Sequence, residues 1–145
     1  MEIVTNVVAA EEDEFPAIGE SSCPLDEWSG IDAPGLDTVK LAVLHAVLTG
    51  DLLQTALDLY EPVYVSVEDT QVLRVADELR DKLAGLGEEA MECVASELAA
   101  TEEFEKSQWD SEGAHALLAA LSELAQLSDS QGQVLFVWIY VVPGS

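Results

Sequence analysis

The sequence predicts an α+β domain: a small antiparallel or mixed sheet packed against about four helices. Two features of the strands point there. A β-branched run, EIVTNVVAA, opens the chain, and a wholly apolar one, QVLFVWIYVV, closes it. Between them, apolar residues recur at helical spacing. Hydrophobic residues make up 49% of 145 residues, which is enough for a core, and no linker is long enough to divide it. Residues 1–145 therefore read as one domain.

The first run is expected to be an N-terminal strand. From Glu11 to Pro34 the text is turn-like, punctuated by Pro16, Gly19, Pro24, Gly30 and Pro34. Phe15, Ile18, Leu25, Trp28 and Ile31 sit among its carboxylates and argue for a loop or short helix pinned to the core. LDTVKLAVLHAVLTG predicts a helix, capped by Asp37 or Thr38 and stopped at Gly50. Its stripe is Leu36, Val39, Val43, Leu44, Val47 and Leu48. LLQTALDLY predicts a short helix before Pro62, and VYVSV a short middle strand. Ser66, with Asp69 three residues on, resembles a capping box. Val72, Val75, Ala76, Leu79 and Leu83 continue it as a helix ended by Gly85 and Gly87. Met91, Val94, Ala95 and Leu98 mark another. Ser111 is the expected cap of EGAHALLAALSELAQL. The last strand is apolar on both faces, which places it centrally in the sheet.

Charge is the strongest compositional signal. The chain has 29 acidic and 5 basic residues, a formal net charge of −24, and no basic side chain before Lys40. Such a charge argues against nucleic acid and anionic membranes, whose phosphates need Lys and Arg. It attracts cations and basic proteins. No apolar run approaches the roughly 20 residues that span a bilayer. The first residues lack the basic start of a signal peptide. Cys23 and Cys93 read as two reduced thiols. A cytoplasmic protein is expected.

Recognisable catalytic motifs are missing. There is no GxSxG, HExxH, Walker loop or GxGxxG. His45 and His115 are the only histidines, and no spacing joins either to a nucleophile. His45 reads as a packed histidine bonded to a carbonyl or carboxylate. EEDE lacks the ligand rhythm of a calcium loop, and no metal ligand set or cofactor is expected.

LHAVLTG (Leu44 to Gly50), VLRVADEL (Val72 to Leu79), Phe104 followed by Trp109-Asp110, the helix from Ser111 and the final strand come in the order found in YfbM-like proteins. The chain resembles that family over residues 36–142. It comprises small bacterial proteins of uncharacterised function with an α+β fold. The best motif is Leu44-His45 with Leu48, Thr49 and Gly50. Departures are Leu41 in place of an aromatic, TALDLYEPVY in place of a glycine-rich loop, and Phe104-Glu105 in place of tyrosine-proline. The resemblance implies a fold and marks His45, without giving it a role.

The functional expectation is a non-enzymatic inhibitor or immunity-type protein that binds a basic protein partner, such as a bacterial toxin. Glu11, Glu12, Asp13, Glu14, Asp26 and Glu27, with Trp28 as anchor, form the expected binding face. Glu102, Glu103, Glu105, Asp110 and Glu112 around Trp109 extend it. One alternative is a housekeeping domain whose acidity is a high-salt adaptation. A second is a hydrolase-like enzyme using His45 with a carboxylate.

Overall fold

A computed structural model describes residues 3–21, 23–33, 36–66, 70–102, 105 and 110–141. The β-branched opening run is strand β1 (Ile3–Ala10), and the closing run is β5 (Val134–Val141). They pair antiparallel along their whole lengths, from Ile3 opposite Val141 to Ala10 opposite Val134. With β2 (Ser29–Asp32), β3 (Tyr64–Val65) and β4 (Gln71–Arg74) they form an antiparallel sheet of order β2-β1-β5-β4-β3. The closing strand is therefore central, as its two apolar faces require.

Alternation along β1 and β5 divides the interior in two. Val7, Ala9, Leu135, Val137 and Ile139 face a large helical core. Val8, Ala10, Val134, Phe136 and Trp138 face a smaller core on the opposite side of the sheet. The helical layer comprises α3 (Thr38–Thr49), α4 (Leu53–Leu59), α5 (Asp77–Ala84), α6 (Glu88–Ala99) and α7 (Ser111–Ser130). Helix α7 lies on β1, β2 and β5, and α3 packs on α4, α5 and α6. Surrounded in this way, α3 buries every residue from Lys40 to His45, while Val39, expected in its stripe, is 42% exposed. The Asp37 side chain caps α3 by accepting from the Lys40 N–H. Asp110, not Ser111, caps α7, accepting from the Gly113 N–H at 2.7 Å.

The helix expected from Ser66 is instead a strand followed by a shorter helix. Val72 and Leu73 lie opposite Trp138 and Val137 in the sheet, and helix α5 begins only at Asp77. Val72 enters the smaller core and Leu73 the larger, so a two-sided strand imitates part of a helical stripe. The Ser66 hydroxyl accepts from the Thr70 N–H rather than capping a helix; Asp69 lies outside the described residues. β2 is a strand that the turn-like reading leaves out. Gly30 permits it, because a Cβ there would collide with the Val7 carbonyl oxygen.

Candidate functional site

The acidic segment after β1 covers the second face of the sheet. It folds as a short 3-10 turn (Glu12–Glu14), then α1 (Phe15–Glu20) and α2 (Pro24–Glu27). Ile18 is fully buried in the smaller core, and Phe15, Leu25, Trp28, Tyr64 and Tyr140 pack around it. The apolar residues interleaved with the carboxylates thus pin the segment down. Pro16 and Pro24 start the two helices, where a missing N–H costs nothing.

Hydrogen bonds fix the carboxylates as well as the backbone. The Glu14 side chain accepts from the Glu11 N–H at 2.9 Å and from the Trp28 indole N–H at 2.9 Å. The Ser21 hydroxyl donates to Glu27 at 2.6 Å, and the Tyr64 hydroxyl to Glu20 at 3.1 Å. Glu12 lies 3.5 Å from the Arg74 guanidinium. Glu11, Asp13 and Asp26 are exposed, and no Lys or Arg among the described residues pairs with them. Of the expected face, these three offer charge that no described Lys or Arg neutralises, Glu11 also closing a capping box with Glu14, while Glu12, Glu14 and Glu27 hold the cover together. Trp28 is half-buried, with its indole N–H already engaged.

The described residues of the second acidic set lie on other elements. Glu102, Glu105, Asp110 and Glu112 are exposed around the ends of α6 and α7, in the helical layer across the sheet. Asp110 is engaged as a helix cap. Glu103 and Trp109 lie outside the described residues.

The marked motif builds a buried polar relay. Leu44 is core, Leu48 is half-buried, and His45 has no exposed surface. The Thr49 hydroxyl donates to the His45 carbonyl at 2.7 Å, and Gly50 turns the chain with a left-handed φ of 80°. That turn returns Asp51 to the helix, 3.0 Å from His45 Nε2, and the Asp51 N–H reaches Thr49 Oγ1 at 3.3 Å. His45 Nδ1 lies 2.9 Å from the Tyr60 hydroxyl, which also accepts from the Ala76 N–H at 3.4 Å. A neutral ring with its proton on Nε2 donates to Asp51 and accepts from Tyr60. Burial pushes the Tyr60 phenol well above its ordinary range; the Ala76 N–H works against this shift and the nearby Glu78 carboxylate adds to it.

His45 is thus packed and bonded, as its place beside the apolar stripe implies. Its partners Asp51 and Tyr60, and Glu78 within 4.8 Å, are residues that the sequence reading misses. Only the Gly50-Asp51 step, directly after a helix, signals one of them. His115 is half-buried in an open groove between α6 and α7, with Glu92, Ser96, Ser111 and Glu112. Cys23 and Cys93 are exposed free thiols. No described helix is long and apolar enough to cross a membrane. Comparison with family models, curated proteins and solved structures found no match to the chain. The YfbM-like resemblance rests on its motif residues alone.

Proposed function

We propose that this is a non-enzymatic acidic interaction protein of the cytoplasm, an inhibitor or immunity-type binder of a basic protein such as a bacterial toxin. The α1–α2 cover is its contact surface. One observation carries the reading: the carboxylates stand on an ordered platform whose apolar side chains are buried and whose polar groups bond to one another. A segment that merely solvates the chain needs no such anchoring. A pinned backbone limits the entropy lost on binding, and the outward carboxylates it carries steer a cationic partner. The complete burial of His45, with both ring nitrogens engaged, supports a structural rather than a catalytic role for it.

The test is affinity capture from the native host at moderate salt, followed by reconstitution. The reading expects a basic protein in a one-to-one complex, with Trp28→Ala lowering affinity by disordering the Glu14 contact. A complex indifferent to every substitution in residues 11–28 would overturn it.

A further inference from the structure

We propose that His45, Asp51 and Glu78 form a binding site for a first-row divalent cation of the zinc class. The three come from separate places in the chain: the buried side of α3, the turn that ends it, and the first turn of α5. One donor atom from each lies within 4.8 Å of the others. His45 is buried, Asp51 is partly exposed and Glu78 is exposed. The cluster is therefore closed on its protein side and open on the other, where an ion can enter and keep water ligands.

The imidazole is held as a metal ligand needs to be. Such a histidine has its second nitrogen tied by an outer hydrogen bond, which fixes the ring orientation. Here Tyr60 holds Nδ1, and Nε2 lies 3.0 Å from Asp51 Oδ2. With the ring proton on Nδ1, donated to Tyr60 Oη, the Nε2 lone pair faces Asp51.

Charge gives a second, independent reason. Asp51 and Glu78 approach each other, yet no Lys or Arg among the described residues pairs with either. Two like charges held close are unfavourable, and a dication between them reverses the sign of that interaction. One nitrogen with two carboxylate oxygens suits Zn²⁺ and its neighbours, whereas Ca²⁺ and Mg²⁺ favour all-oxygen shells. Donors around tetrahedral zinc stand about 3.4 Å apart, given zinc–ligand distances of roughly 2.0–2.2 Å. His45 Nε2 and Asp51 Oδ2 already stand 3.0 Å apart, and a carboxylate oxygen of the exposed Glu78 lies within 4.8 Å of the other donors.

The experiment is a Zn²⁺ titration of the intact protein by calorimetry, in excess Ca²⁺ to occupy surface carboxylates, with Co²⁺ absorption as a second readout. Wild type is expected to bind one Zn²⁺ and to give a low-symmetry Co²⁺ spectrum. Glu78→Gln and Asp51→Asn, checked for folding by circular dichroism, are expected to weaken binding about tenfold or more, and Tyr60→Phe about tenfold through the lost outer bond. Glu97→Gln, on the exposed side of α6, is expected to bind like wild type. Absence of stoichiometric Zn²⁺ binding, or equal binding by wild type, Glu78→Gln and Asp51→Asn, would overturn the site.

Discussion

Truncating Ile18 to alanine should undo the acidic cover without touching a charge. The side chain is fully buried against Val8, Ala10, Val72, Phe136 and Trp138. Removing a buried isoleucine of this kind costs about 2–5 kcal/mol, the lost transfer energy plus the cavity left behind. The cover is short, however, and is joined to the sheet by one small core. The loss falls first on its docking, and global stability can drop only by as much as docking contributes. About 3 kcal/mol corresponds to a melting-temperature drop of roughly 6–12 °C for a domain of this size. Hydrogen exchange locates the effect. Amides of residues 14–28 should lose protection, while those of β1, β5 and α7 keep theirs. Unchanged protection in 14–28, or loss spread evenly over the chain, would refute the idea that Ile18 pins a separable acidic platform.

Three further outcomes follow from the same geometry. His45→Ala leaves Tyr60 and Asp51 without their partner, so urea unfolding should show a loss of about 1–3 kcal/mol. Tyr60 is neutral in the folded protein well past the pH near 10 at which an unfolded tyrosine ionises. Its contribution is therefore complete below that pH and is lost as pH rises above it, and Tyr60→Phe should flatten the alkaline fall of stability measured by denaturant titration. Self-repulsion at a net charge of −24 is screened over about 10 Å at 0.1 M salt, so added sodium chloride should raise the melting temperature in a calorimetric scan.

Residues with a single environment were the legible ones. β5 is apolar on both sides because each side meets a core, and its composition says so. The Asp37 cap and the Gly50 stop are local devices, readable from residue type. β4 was not legible, because Val72 and Leu73 serve opposite cores in a pattern that also fits a helix. β2 has few apolar residues and depends on pairing with β1. Interleaved apolar residues gave away the pinning of the acidic segment, but which carboxylates remain unpaired depended on distant partners such as Arg74 and Tyr64. The His45 cluster was legible only at its histidine. Tyr60 and Glu78 reach it from 15 and 33 positions away, a tertiary juxtaposition that no local motif encodes.

The most direct measurement of the central claim compares two charge reversals that change net charge equally. Lysines at Glu11, Asp13 and Asp26 alter the outward carboxylates of the cover; lysines at Glu88, Glu89 and Glu97 alter exposed positions on α6. Association rates with the captured basic partner are read by stopped flow at low and moderate salt. The account predicts that the first set slows association about tenfold more than the second, with the gap narrowing as salt screens it. Equal slowing by both sets would mean that net charge alone governs the encounter, and the acidic cover would not be the contact surface.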